Sequence, residues 1–278
     1  MAGKSLMNRP GSGAEKGMRP DRRWIWTCGV LAALCLGSGL PGPAAAELEV
    51  SGGMEYFTVQ TYARDPAGYY FQTLIQSTLA TLGLGYRLGP LKVRAAGSLS
   101  DWNAGGKWTG SDIVTLDLEP YYLWAWQQKL TLEVGVNVWG GWDVGVGYED
   151  HALRHYNGSE ALTFLQYRLR SAEAFVDYRL LQTENLQVQA AVAYAPLAFI
   201  EVYQNTTIER DVEGIHVYDT AGAGSRWRGR LAMHYRDSAG WGLDFSYTAG
   251  FARFQEPRNL SEFSLRFGSL TGFFTLLF

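Results

Sequence analysis

The chain has 278 residues, 24 basic against 27 acidic, and a mean hydropathy of −0.12. That balance excludes a strongly basic nucleic-acid binder, and no run after residue 46 approaches the roughly 20 apolar residues of a membrane helix. Both cysteines, Cys28 and Cys35, lie close to the N-terminus, so the rest of the chain owes nothing to disulfides.

Residues 1–23 are polar and include Arg19, Arg22 and Arg23. Trp24–Leu36 is apolar, Gly37 to Pro43 breaks the run, and Ala44-Ala45-Ala46 precedes Glu47. This is the layout of a signal peptide over 1–46, leaving a mature chain of 47–278. Removing 1–46 takes away six basic and two acidic residues, so the mature chain has 18 basic against 25 acidic.

Downstream, the pattern is that of strands. The first spans roughly Leu48–Tyr62. In Gln72–Leu88, Ala80, Leu82, Leu84, Tyr86 and Leu88 alternate with Thr81, Gly83, Gly85 and Arg87. Gly89-Pro90 turns the chain into Leu91–Leu99. A polar stretch then leads to Ile113–Trp126, the clearest alternation of all. One face has Val114, Leu116, Leu118, Pro120, Tyr122, Trp124 and Trp126; the other has Asp117 and Glu119. The apolar face finishes in aromatics, as where a membrane strand meets the interface.

Gln127-Gln128-Lys129 reads as a turn into Leu130–Val138, and 139–159 as a loop rich in Gly and Trp. Further strands are expected over Glu160–Leu181, Leu186–Ala195, Ser225–Tyr235 and Trp241–Arg253. A last one runs to Phe278. The short connections are Gly89-Pro90, Gln127–Lys129, Gln182–Asn185 and Arg236–Gly240. The others, near 65–71, 100–112, 139–159, 196–224 and 254–259, are mostly longer.

Short turns alternating with longer loops, about ten strands and a terminal aromatic predict an all-β fold: a closed antiparallel transmembrane β-barrel of the bacterial outer membrane. Both termini are expected on the periplasmic side, with the long loops outside. Closure is required because an open edge in hydrocarbon leaves backbone groups unpaired. About ten strands are too few for a wide pore. The interior is therefore expected to be filled by a charge network of Arg87, Arg94, Asp117, Glu119, Glu133, Glu173, Asp177, Arg179, Arg228, Arg230 and Asp244.

Three segments carry a family resemblance: LGYRLGPLKVRAAG (Leu84–Gly97), FVDYRLLQTENLQVQAAVAYAP (Phe175–Pro196) and AGAGSRWRGRLAMHY (Ala221–Tyr235). They resemble the second hairpin, the third periplasmic hairpin and the start of the eighth strand of the omptins, outer-membrane endopeptidases. The resemblance implies a surface protease with paired aspartates in the second outer loop and an Asp-x-His couple in the fourth. Together these hold a water as general base. It also implies a requirement for lipopolysaccharide and no other cofactor.

The sequence departs from that pattern at both places. The second loop offers Asp101 and Asp112, well separated, and the place of Asp-x-His falls on Glu209-Arg210-Asp211. The nearest histidine, His216, is five residues from Asp211, which on a strand points it to the other face. The candidate catalytic residues are therefore Glu209, Asp211, Asp101 and Asp112, an all-acid set.

His151 and His155 have helical i, i+4 spacing for a metal, but they sit in a Gly-rich stretch. Trp139, Trp142 and Tyr148 suit an aromatic girdle better than a glycan or lipid site near an outer loop. The function expected first is a non-catalytic or divergent surface protein whose outer loops contact an extracellular protein or peptide. Outer-membrane lipid and lipopolysaccharide surround it. An omptin-type endopeptidase and a narrow channel are the alternatives.

Overall fold

Alternation of side chains along consecutive hairpins leaves one way to satisfy every backbone N–H and C=O in an apolar setting, which is to close the sheet on itself. The computed structural model describes residues 46–64, 70–103, 105–110, 116–118, 123–157, 163–205, 217–255 and 262–278. Ten long antiparallel strands form the barrel: β1 (Ala46–Arg64), β2 (Tyr70–Leu88), β3 (Leu91–Asn103), β6 (Leu123–Trp139), β7 (Trp142–Asn157), β8 (Thr163–Gln182), β9 (Leu186–Asn205), β10 (Val217–Arg236), β11 (Trp241–Gln255) and β12 (Glu262–Leu277). β1 pairs with β2 along one edge and with β12 along the other, from Glu49↔Leu277 to Arg64↔Glu262, and so closes the ring. Two short strands, β4 (Gly105–Gly110) and β5 (Leu116–Leu118), extend this hairpin; β4 takes up the edge of β2 that β3 leaves at Ala80.

The tight turns lie at 89–90, 140–141, 183–185 and 237–240, at the same end as Ala46 and Phe278. The opposite end, the loop end, carries the remaining connections, most of which fall outside the described residues. β8, β9 and β10 have 20 residues each. A tilted membrane strand needs only about 9–11, so these walls continue past the apolar band toward the loop end.

The expected strand count stands, but two of its members were placed wrongly. Ile113–Trp126 is not one strand: only Leu116–Leu118 and Leu123 onward are strand, and β6 runs unbroken through Gln127–Lys129 to Trp139. The polar triplet is strand because its odd members face a polar interior, where Gln127 donates to Ser77 Oγ and Lys129 pairs with Glu55 at 2.7 Å. The real turn is Gly140-Gly141, both at positive φ (56° and 90°), which suits a two-residue hairpin. The presumed loop 139–159 is largely β7. One spurious strand and one missed strand cancel. Leu116 accordingly lies near the loop end, whereas Val134 sits outward on β6 as expected.

β9 likewise continues beyond Ala195, through Pro196. The pairing slips there on both sides, between Ala172 and Ala174 on β8 and between Gly224 and Arg226 on β10. Pro196 thus occupies a bulge, one of the few places where a sheet tolerates a residue without an N–H.

The outside is apolar. Leu82, Leu132, Val146, Val192, Leu231 and Leu270 are among its most exposed side chains. Aromatics ring the turn end: Trp139, Trp142, Tyr178, Tyr235, Trp241, Phe274 and Phe278. Several inward glycines make room for a neighbouring ring. A Cβ on Gly145 would come within 2.5 Å of Phe175 Cζ, and one on Gly250 within 2.4 Å of Phe267 Cζ. Large inward aromatics are accommodated by thinning the next strand.

Candidate functional site

The interior has two zones, and the alternation along each strand builds both. β10 carries Arg226, Arg228 and Arg230 at period two, so all three point inward as a ladder. Their acids come from β6, β7 and β8 across the lumen. Arg226 meets Glu149 at 2.9 Å and donates to Ser171 Oγ at 2.9 Å. Arg228 meets Glu133 at 2.9 Å and also contacts Glu173. Arg230 reaches Glu133 at 3.4 Å and Asp177 at 3.2 Å. Nearer the turns, Asp143 pairs with Lys92 and accepts from Asn137 Nδ2 at 2.6 Å. Asp244 bonds the His234 Nδ1 at 2.6 Å and the Arg236 guanidinium at 2.6 Å, and it accepts from the Thr275 hydroxyl. A cavity of about 200 Å3 is bordered by Glu133, Glu149, Arg226, Arg228, Arg230 and Asp244 and reaches Phe57, Val59, Tyr167 and Leu169 on the loop side.

The loop-side half of the lumen is mainly apolar, with Thr61, Thr73, Ser77, Ser100 and Gln127 buried among its side chains. Phe57 and Val59 of β1, Ile75 and Leu79 of β2, Leu153 of β7, Tyr167 and Leu169 of β8, Ile200 and Val202 of β9, Phe254 of β11, and Phe263 and Leu265 of β12 pack into one buried cluster. At the junction of the zones His151 lies between the Phe57 and Tyr167 rings, edge-on to both at 4.9 and 5.3 Å. Its nitrogens contact Gln127 Oε1 and the Tyr167 hydroxyl, each at 3.3 Å.

The expected charge plug is therefore half right. Arg94, Glu133, Glu173, Asp177, Arg228, Arg230 and Asp244 do line the turn-side lumen. Asp117 instead falls on β5 at the loop end, and Glu119 lies outside the described residues. Arg87 pairs with Glu47 at the turn end, at 3.6 Å, and Arg179 bonds Gln182 there at 2.8 Å. The seal at the other end is made by apolar packing. Strand alternation could have disclosed it, since Phe57, Val59, Thr61 and Ala63 share a face with Glu55.

Of the candidate catalytic residues, Asp101 has its backbone on β3 at the loop end, opposite Trp126 of β6. Asp112, Glu209 and Asp211 lie outside the described residues, as does His216. His151 and His155 are on β7, where four residues span about 13 Å at ~3.3 Å each. They form no helical pair, and no cluster of three metal-binding side chains occurs among the described residues. Trp139 and Trp142 flank the Gly140-Gly141 turn, far from the outer loops, and Trp142 packs on Tyr178 at 4.4 Å. They belong to the girdle.

The chemistry available in the described lumen is that of mutual neutralisation. Its acids are held by arginines, lysines or histidine, and its loop-side exit is filled.

No protein-family model matches the sequence, and no curated protein matches it. Among solved structures, the outer membrane protease OmpT from Escherichia coli aligns over 87% of this chain and 99% of its own, at 10% identity and a TM-score of 0.54. The translocator domain of the autotransporter NalP from Neisseria meningitidis aligns over 92% of this chain and 95% of its own, at 12% identity but a TM-score of only 0.40. The ten-stranded closed barrel is thus a fold shared with outer-membrane β-barrel proteins.

Proposed function

We propose that this chain is a bacterial outer-membrane protein of omptin-like architecture whose outer connections form a contact surface for an extracellular protein or peptide. The observation that carries this reading is the apolar seal of the loop-side lumen, Phe57, Leu79, Leu153, Leu169, Ile200 and Leu265 among its members. A filled lumen offers solutes no passage, which weighs against the narrow channel. It also makes the barrel a rigid stem that presents its loop end, and binding residues concentrate on loops held by such scaffolds. Residues 1–46 act as the export signal in this reading. The apolar exterior faces lipid, with lipopolysaccharide in the outer leaflet.

The termini and tight turns then face the periplasm. An epitope tag inserted at Thr206 or Asn259 is expected to be stained on intact cells, and one between Gly140 and Gly141 only after permeabilisation. The opposite staining pattern would overturn the orientation.

The second reading is a surface endopeptidase, supported by a fold in common with a known outer-membrane protease and by the place of Asp101 at the loop end. It would use Glu209, Asp211, Asp101 and Asp112. Peptide cleavage by refolded protein, with and without lipopolysaccharide, separates the two. The contact-surface reading expects no turnover. The enzyme reading expects turnover that Glu209→Gln and Asp211→Asn each abolish while the barrel stays folded.

A further inference from the structure

Among the charges of the lumen one arginine is left over. Arg94 faces inward on β3, two residues after Lys92, yet it makes no ion pair or hydrogen bond with any described residue. Four carboxylates act on it from a distance, those of Glu49, Glu133, Asp177 and Asp244. Three of them are taken. Glu133, opposite Arg94 on β6, is held by Arg228 and Arg230, and Asp177 by Arg230. Asp244 is held by His234, Arg236 and Thr275. Only Glu49 of β1 is loosely engaged. Its nearest cation, Arg236, is 3.7 Å away, the longest lumen ion pair among the described residues.

Glu49 and Arg94 belong to one row of the barrel. Glu49 lies opposite Gly85 of β2, and Gly85 opposite Arg94 of β3. Two strand spacings of ~4.8 Å each separate their backbones. The strand between them contributes no side chain. A Cβ on Gly85 would come within 2.9 Å of Glu49 Oε2, so that carboxylate lies over bare backbone. Gly83 is bare as well, and a Cβ there would meet Ser51 Oγ at 2.4 Å. The acid and the guanidinium therefore flank a gap without closing it. Both line the cavity of about 200 Å3 described above. A second hollow of about 110 Å3 shares Glu49, Arg94, His234 and Arg236 with it and reaches Glu47, Arg87 and the turn residues Thr183 and Asn185. The gap thus opens toward the turn end, the periplasmic end in the orientation proposed above.

From this arrangement we infer that the turn-side lumen binds a small zwitterion of the amino-acid class, its carboxylate on Arg94 and its ammonium on Glu49. Local charge decides between ligand classes. Arg94 and Arg236 are positive, Glu49 and Asp244 negative, so the site has no net charge. An anion would gain Arg94 but face two carboxylates. A cation would gain Glu49 but face two guanidiniums. A molecule with both charges finds a partner at each end, and both contacts are charge-assisted hydrogen bonds. The cavity has room for several waters, and so for glycine or alanine. The site lies inside the barrel and stands apart from the outer contact surface proposed above.

The test uses the full mature chain refolded in a non-ionic detergent, with glycine as the probe and ligand-observed NMR as the readout. Acetate and methylamine, which carry one charged end each, serve as comparisons. Glycine is expected to bind, and acetate and methylamine each about tenfold more weakly, the scale of one lost hydrogen bond to a charged group. Arg94→Gln and Glu49→Gln should each weaken glycine about tenfold as well. Neither breaks a close ion pair, so circular dichroism should show the barrel folded in both. Arg94→Lys should retain most of the binding because it keeps the charge, and Arg168→Ala, on the outer wall, should leave it unchanged. Acetate or methylamine binding as tightly as glycine would overturn the zwitterion site. So would a folded barrel that binds no glycine, or binding that neither Arg94→Gln nor Glu49→Gln weakens. Should either variant fail to fold, the comparison of the three probes on the unaltered chain still decides.

Discussion

Glu149→Gln is expected to destabilise the barrel by about 3–5 kcal/mol, the scale of breaking one side of a buried ion pair. Arg226 is only 2% exposed, and its guanidinium lies 2.9 Å from Glu149, 2.9 Å from Ser171 Oγ and 4.6 Å above the Phe267 ring. Its Nε already lacks a partner among the described residues. Glutamine keeps one amide oxygen to accept from the guanidinium but removes the charge, leaving a cation in the lumen centre whose neutral neighbours cannot replace the lost hydration. The double replacement Glu149→Leu with Arg226→Met should recover most of the loss, since it removes both charges together. Arg170→Ala, which breaks the exposed pair with Glu201 on the outer face, should cost under about 1 kcal/mol. Equilibrium urea unfolding of protein refolded into vesicles measures all three. A Glu149→Gln effect no larger than that of Arg170→Ala would show that water reaches the lumen centre freely and that the network is not structural.

How much of this was legible depends on what each signal encodes. The lipid face was readable wherever it lay opposite polar residues, as in Trp241–Phe251, because a period of two is fixed by strand geometry. The arginine ladder was readable for the same reason. Gln127–Lys129 misled because a polar triplet means a turn only when its alternate member is not facing a polar lumen. Gly140-Gly141 carried the true turn, but the surrounding Trp and Gly residues looked like loop. Pro196 misled in the opposite sense, since a bulge absorbs it without ending β9. Alternation along β1 already puts Phe57, Val59 and Ala63 on the face of Glu55, but that Ile75, Leu153 and Leu169 pack against them follows only from closure of the ring. Glu209 and Asp211 rest on counting back from Gly224-Ser225-Arg226, across a connection whose length strand geometry does not constrain, and Asp101 and Asp112 are the acids of the second loop.

The second large effect tests whether the outer face meets hydrocarbon at all. Leu82 is 74% exposed and stands between Gly52 of β1 and Gly97 of β3, so no neighbouring side chain shields it. Leu88 lies on the same face of the same strand, at the tight turn. The rise from Leu88 to Leu82 is about 15 Å at ~3.3 Å per residue and ~40° of tilt, which puts Leu82 near the middle of a band about 25 Å tall. Leu82→Arg is therefore expected to cost about 2–4 kcal/mol, and Leu88→Arg about 0–1 kcal/mol. In water the two would be alike, because an exposed leucine replaced by arginine loses little and gains hydration. Reversible unfolding from vesicles of fixed thickness reads the difference directly. A depth-dependent cost supports lipid on this face. Equal small costs would mean that the exposed leucines and valines are covered by something other than a bilayer, and the outer-membrane assignment would fall with them.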